Sequence, residues 1–553
     1  MRAPDLPRAP ARALPRARRA AAHGEPQGGA GLTRPGRLAA DLAAPALLLL
    51  APFVAFVRSS AYGVTRPEIL LCATALAAAG VALGAVARAL GVTARVLLVA
   101  ALVGVFVDVQ ADAIRAFGPT LFALTLGSIA AAWLLSRHLS AIVVAVAGTM
   151  VAATLLLPPR GRPEPPARAP VAAARTDLPV VLHLILDEQI GLDGIPLDLP
   201  GAAAVREELL RFYASRGFRV FARAYSRYYE THNAISNLVN LTARDTDAAW
   251  FRGPFREGAH PEENAWFAAM AGRGHAIRVY QSDFLDLCGT RDGAYVRSCF
   301  TYDLETIAAI EQAPLGVLEK AALVAGVYRR LSFLASGGAS DAQPAVRVAT
   351  LAVMPVLDRL AADLAQARPG DMLVAHLMMP HYPYAYDREC ALRPMAAWGT
   401  AFSRAAFPLR NTPETRAASY PLYLDQVLCL HRRLGALLDR LRDAGTLERA
   451  VVLIHGDHGS RIEVVPPNAR FADALRHDDY VDSFSTLFAV KAPGFAPGHD
   501  RRQLPAEAIL ASVLAGDPAA AERAAGGSEV FLAAGPRARL VPRPMPPFGS
   551  EAP

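Results

Sequence analysis

A multi-span helical membrane unit followed by a large α/β domain with a largely parallel central sheet is the fold class this sequence predicts. Three observations carry it. Residues 41–158 hold successive long apolar runs, the chain from Leu178 onward alternates short apolar runs with longer amphipathic segments, and several of those short runs end in carboxylates and imidazoles.

The apolar runs fall at 41–57, 68–87, 96–112, 118–135 and 139–157. Each approaches the roughly 20 residues that, at about 1.5 Å rise, cover a bilayer's hydrocarbon core. Their Ala- and Gly-rich composition permits close helix packing in lipid. Arginines 58, 66, 88, 95, 115 and 137 sit in the connecting turns. Asp108 and Asp112, at the outer end of the third run, read as interfacial.

The formal charge of +7 lies almost wholly in residues 1–40, where eight arginines face two acids. The nearly neutral remainder excludes nucleic acid as the main partner and leaves the basic segment as a topology signal. Its prolines oppose the amphipathic helix of a transit peptide, so residues 1–40 read as a disordered cytoplasmic tail. Five spans from a cytoplasmic start deliver the second part to the outer side of a cell inner membrane, the periplasmic side. Cysteine usage agrees: Cys72 lies in a span, while Cys288 with Cys299 and Cys390 with Cys429 suggest two local disulfides in an oxidising compartment. Residues 159–178 form a proline-rich linker expected to hold the next domain off the membrane, and 536–553 a proline-rich tail.

Between them, 179–535 reads as one α/β domain. Strands are expected near 179–187, 217–222, 275–281, 371–378, 450–455 and 484–491, and helices at 201–215, 231–241, 262–273, 345–367 and 420–444. In open α/β sheets ligands bind beyond the carboxyl ends of the strands. There "VVLHLILDEQ" places Asp187 and Glu188, "LVAHLMMPHYPY" places His381, and "VVLIHGDHG" places Asp457 and His458. Singly, each could be a cap, a core histidine or a turn. Jointly they form a rim of hard oxygen and imidazole donors suited to one divalent ion, Zn²⁺ or Mn²⁺ before Mg²⁺ or Ca²⁺, whose charge offsets the burial of neighbouring carboxylates. Thr231 stands where "AYSRYYETHNAISNLVNLTAR" turns from a polar loop into a helix. It could be a plain N-cap or, beside a metal, an activated nucleophile.

These residues resemble the alkaline phosphatase and sulfatase superfamily, in particular its membrane-bound branch of lipoteichoic acid synthases and phosphoethanolamine transferases. The likeness covers 178–495, with the "DHG" turn its most specific motif and the acidic strand end, the threonine before "AISNLVNLT" and "PHYPY" in the same chain order. It implies that Asp187, Asp457 and His458 bind the metal, with Thr231 both ligand and nucleophile. It also implies Glu188 as a further ligand or a group just behind the ligands, His381 on the substrate's phosphate oxygens or leaving group, and His477 of "LRHDDYVDSF" as a substrate-side histidine. The C/S-x-P-x-R segment of formylglycine sulfatases is absent from the sequence, which argues against a conventional sulfatase.

The expected activity is transfer of a phospho-linked head group from a membrane lipid donor to a lipid or cell-envelope glycan acceptor, through a phosphothreonine, by a monomeric enzyme. A phosphoric or sulfuric ester hydrolase with the same metal site is the alternative. A non-catalytic membrane sensor or assembly protein is a third reading; retention of Asp187, Thr231, Asp457 and His458 argues against it.

Overall fold

The structure is a computed structural model that describes residues 34–548 apart from 61, 112, 137, 158–174, 247–248, 252–258, 290–294, 303–307, 331–348 and 535–538. The basic tail through residue 33, nearly all of the linker and Asp112 lie outside the described residues.

The first part is a bundle of α1 (Arg34–Ser59), α2 (Pro67–Leu90), α3 (Val92–Ala111), α4 (Ala113–Phe117), α5 (Pro119–Leu134) and α6 (Leu139–Leu156). Among the described residues four helices, α1, α2, α3 and α6, are long and apolar enough to cross a membrane. The run expected as a span over 118–135 is shorter than the others, a helix of 16 residues, or about 24 Å. Asp41 near the start of α1 accepts hydrogen bonds from Arg88 Nη1, Arg95 Nη1 and Ser140 Oγ, each at 2.6 Å. The end of α2 and the starts of α3 and α6 therefore share one end of the bundle with the start of α1. At the other end Arg58 bonds the carbonyls of Thr154 and Leu157, so α6 ends where α1 ends.

The second part contains β1 (Val181–Leu186), α7 (Ala202–Ala214), β2 (Arg219–Tyr225), α8 (Thr231–Val239), β3 (Ala249–Phe251), β4 (Ala259–Pro261), α9 (Ala265–Gly272), β5 (Ala276–Ser282) and β6 (Val296–Tyr302). It continues with α10 (Ala308–Gln312), α11 (Val317–Arg330), α12 (Ala349–Leu364), β7 (Asp371–Leu377), α13 (Pro413–Asp443), β8 (Val451–Gly456), α14 (His477–Phe484), β9 (Phe488–Lys491), β10 (Gly498–Pro505), α15 (Ala506–Ala515), α16 (Ala520–Ala524), β11 (Glu529–Leu532) and β12 (Val541–Pro544). Among the described residues eight strands make the central sheet in the order β10-β2-β9-β8-β1-β7-β5-β6. Of these, β9 runs antiparallel to its neighbours. All six expected strands are present.

Every residue of β1 and β7 is buried, as a parallel sheet covered on both faces requires. Alternation splits β1 between two cores: Leu182, Leu184 and Leu186 point into one, Val181 and Ile185 into the other. The first core continues into the helical bundle, where Phe53 and Phe56 lie 5.2 and 5.5 Å from the ring of Tyr328. Arg66 Nε bonds Glu311 Oε1 at 2.6 Å beside that contact. The expectation that the linker holds the domain away from the helices is thus corrected: the two parts share one apolar core.

Both anticipated disulfides form, Cys288–Cys299 and Cys390–Cys429. The second ties the segment after β7 to α13 across 39 residues. Replacing Cys390 and Cys429 together by serine is expected to cost about 4 kcal/mol, and the pair at 288 and 299 about 3, from the chain entropy each loop restrains. The ordering of the two melting temperatures in detergent, each against the oxidised parent, checks this.

Candidate active site

Parallel register brings the acids together. Leu186 of β1 pairs with Gly456 of β8, so the next residues, Asp187 and Asp457, leave adjacent strands side by side. Asp457 Oδ1 accepts the backbone N–H groups of Glu188 at 3.0 Å and His458 at 2.9 Å, which fixes this carboxylate between the two turns. Tyr423 of α13 clamps the first turn, donating its hydroxyl to the Glu188 carbonyl at 2.7 Å and accepting from the Ile190 N–H at 2.9 Å. Glu188 takes φ +65° and Arg461 φ +56°, left-handed conformations that cost an L-residue about 1–2 kcal/mol. The glycine of the "DHG" turn has a steric cause: a Cβ at Gly459 would stand 2.2 Å from the Asp482 carbonyl oxygen of α14.

Thr231 is the first residue of α8, not its cap. Glu230 occupies that position and no side chain caps the helix, which leaves the Thr231 hydroxyl to face the rim. Its Oγ1 lies 3.1 Å from His458 Nε2, and His458 Nε2 lies 3.1 Å from Asp457 Oδ2. His458 Nδ1 faces the Gly459 carbonyl at 3.1 Å; with the proton on Nδ1, the Nε2 lone pair turns to the threonine and the acids.

His381 belongs to the same rim. Its Nδ1 is 2.6 Å from the Tyr382 carbonyl and its Nε2 3.5 Å from Glu188 Oε1. Its backbone carbonyl is held by Thr350 Oγ1 at 3.1 Å and Gln426 Nε2 at 2.9 Å. Asp187 is shared by two groups whose donor atoms lie within 4.8 Å of one another, Asp187–Asp457–His458 and Asp187–Glu188–His381. Both oxygens of Asp187 and of Glu188, together with Asp457 Oδ2, are buried without a hydrogen-bond partner. Orphaned carboxylate oxygens of Asp187 and Asp457 beside the unprotonated His458 Nε2 and the Thr231 hydroxyl fit a divalent cation. Burial pushes the Asp187 and Glu188 carboxyls well above the ordinary carboxylate range, and Asp457 upward as well. It pushes the His458 and His381 imidazoles well below theirs, so both rings are neutral near pH 7.

His477 does not join them. It begins α14 half-exposed, with Nε2 3.0 Å from the Pro547 carbonyl near the C-terminus, so the expected substrate-side role is not supported by its position.

Several residues without an expected role line the site. Arg461, four residues past Asp457, places Nε 3.8 Å from Glu188 Oε1 and its guanidinium 4.3 Å from the ring centre of Tyr229. Tyr229 stacks on His458 and donates to Glu463 Oε1 at 2.8 Å. Arg410 Nε donates to the Arg461 carbonyl at 2.8 Å and pairs with Glu463 at 3.3 Å. His376 of β7 places Nε2 3.6 Å from Asp187 Oδ2. The sequence signals for these are faint: an arginine inside the "GDHGSR" turn, and a histidine in an otherwise apolar strand.

Residues 343–498 match a family model described as Sulfatase, a stretch that contains β7, His381, Asp457, His458 and Arg461. A search of curated proteins finds no match. Among solved structures, a phosphonate monoester hydrolase from Silicibacter pomeroyi is similar at 12% identity, covering 61% of this chain and 73% of that one, with a TM-score of 0.36. The C-terminal periplasmic domain of EcEptC from Escherichia coli, in complex with Zn, is similar at 12% identity over 68% of this chain and 96% of that one, with a TM-score of 0.37. The phosphonate monoester hydrolase of Agrobacterium radiobacter is similar at 11% over 61% and 74%, with a TM-score of 0.36.

The raised carboxyl pKa values fix the sign of two pH effects. In cation-free protein the folded site holds protons that the unfolded chain releases above about pH 4, so these groups' contribution to stability falls as pH rises. Cation binding needs the carboxylates ionised, so its affinity rises with pH. The thermal upshift on adding Zn²⁺ is expected to be larger at pH 8 than at pH 6 and to vanish in Asp457→Asn, as differential scanning fluorimetry of the detergent-purified chain would register.

Proposed function

We propose that the chain is a membrane-anchored, metal-dependent enzyme that transfers a phospho-linked head group from a lipid donor to a lipid or cell-envelope glycan acceptor through a phosphothreonine at Thr231. The observation that carries this reading is the placement of Thr231 Oγ1 at the start of α8, uncommitted to capping and 3.1 Å from His458 Nε2. Asp187, Asp457, His458 and Thr231 are the residues that would hold the cation. Bound there, a divalent cation lowers the pKa of the hydroxyl and neutralises the clustered carboxylates.

The chain's own groups then divide the work. Thr231 Oγ1 attacks phosphorus; the Oγ1–P bond forms, the bond to the donor's alkoxide oxygen breaks, and the hydroxyl proton passes by way of His381 Nε2 to the departing alkoxide. The N-terminal end of α8, where the helix dipole is positive, and the Arg461 guanidinium face the charge that grows on the non-bridging oxygens. Neutral His381, its Nδ1 facing the Tyr382 carbonyl at 2.6 Å, presents an unprotonated Nε2 that takes up this proton and hands it to the alkoxide. An acceptor hydroxyl reverses these steps: its oxygen bonds phosphorus, the Oγ1–P bond breaks, and its proton returns through His381 Nε2 to Thr231 Oγ1. On this reading the arginine-rich start stays cytoplasmic and the α/β domain lies outside the membrane, a placement that its two disulfides support.

Thr231→Ala is expected to abolish turnover while leaving Zn²⁺-dependent thermal stabilisation measurable, and Thr231→Ser to retain part of it. Intact-mass analysis of the parent after incubation with lipid extract should show an adduct mapping to Thr231. No adduct together with an active alanine variant rejects the nucleophile. Label recovered on a second lipid or glycan identifies a transferase, and label only in water-soluble product the hydrolase. Arg461→Ala should lower kcat/KM by about 10²–10³-fold, the range for one donor to a developing oxyanion.

A further inference from the structure

Helix α11 packs against the membrane helices at both of its ends. Near its start the Ala321 carbonyl lies 3.5 Å from the Sγ of Cys72, which stands five residues inside α2. Near its other end the Tyr328 ring meets Phe53 and Phe56, six and three residues before the end of α1. At the helical rise, these contacts are about 7.5 Å and about 4.5–9 Å in from the domain-side ends of α2 and α1. Both ends of α11 are therefore at similar depth, and the helix runs across the bundle rather than along it.

Its faces are sorted. Ala321, Val324 and Val327 are buried against the shared core. The charged residues near its start turn back to protein: Lys320 Nζ donates to the Glu311 carbonyl at 2.7 Å, and Glu319 accepts the Gly316 N–H at 3.1 Å and the Met395 N–H at 3.0 Å. What remains outward is an edge of Leu318, 74% exposed, followed at helical spacing by exposed Ala322 and Ala325, with exposed Arg329 at its end.

We infer that α11 lies in the plane of the outer leaflet, with its Leu318–Ala322–Ala325 edge against lipid acyl chains. Two observations select lipid as the occupant. The edge sits beside the outer parts of α1 and α2, which are long and apolar enough to span a bilayer, at the depth of about 5–10 Å where amphipathic in-plane helices settle. It also carries no charge until Arg329, whose long side chain reaches from that depth to headgroup phosphates. The inference rests on membrane insertion of α1 and α2 and is independent of the chemistry at Thr231.

The test uses the full chain, with Cys72→Ser and both disulfides intact, reconstituted in phosphatidylcholine vesicles. A fluorophore is attached at Leu318→Cys or, separately, Ala325→Cys, and quenched either by brominated acyl chains or by aqueous iodide. Leu83→Cys on α2 is the lipid control and Leu197→Cys, exposed on the α/β domain, the water control. Strong loss of emission with brominated chains and resistance to iodide, as at Leu83, is the expected result for both positions. Iodide quenching matching Leu197 places the edge in water and overturns the inference. Protection from both quenchers indicates a protein partner and overturns it too. A Leu83 label insensitive to brominated chains removes the membrane reading of the bundle itself, a failure distinguishable from the others.

Discussion

Buried carboxylates at the tips of neighbouring strands are the constraint around which the α/β domain is arranged. The pairing of Leu186 with Gly456 leaves no freedom about where Asp187 and Asp457 emerge, and a slip of one residue would turn one of them to the opposite face. Two acids that close repel and lose hydration, so what surrounds them compensates. Backbone N–H groups are given to Asp457, the guanidinium of Arg461 approaches Glu188, and the remaining oxygens are left for a cation. The left-handed residues at 188 and 461 and the side-chain-free residue at 459 follow from fitting three turns into that space.

Much of this was legible in the chain itself, and the exceptions have physical causes. The strands recognised from apolar runs are those in the middle of the sheet. The two long strands that went unrecognised, β6 and β10, are its two edges, where one side faces solvent and the sequence reads as the polar "VRSCFTY" and "GHDRRQLP". Asp187, Glu188, Thr231, His381, Asp457 and His458 stand at the ends of elements with visible periodicity, so topology alone brings them to one rim. Arg410 arrives from an irregular segment about fifty residues from Arg461 in sequence, and no local pattern marks it. His477 shows the reverse failure: a histidine at a helix start looks functional until the fold turns it to the C-terminal segment.

The helical bundle and the α/β domain are coupled through side chains rather than joined only by a linker. Tyr328, Glu311 and Ala321 of the domain side meet Phe53, Phe56, Arg66 and Cys72 of the bundle. From α11 a further contact, Glu319 with the Met395 N–H, leads into the segment that carries Arg410 to the site. Apolar burial of this kind fixes orientation, so the distance from the carboxylate rim to the helices is set by packing and not by the length of residues 159–178.

At the opposite end of the bundle, Asp41 answers two guanidiniums with one negative charge. The excess of one positive charge is held by hydrogen bonds to helices α1, α2, α3 and α6 and cannot be shed by moving a single side chain. Were the bundle set in a membrane with its negative side at this end, carrying that charge to the far side would cost about 2.3 kcal/mol for every 100 mV of potential. Under such a voltage the cluster would act as an electrical keel for the bundle.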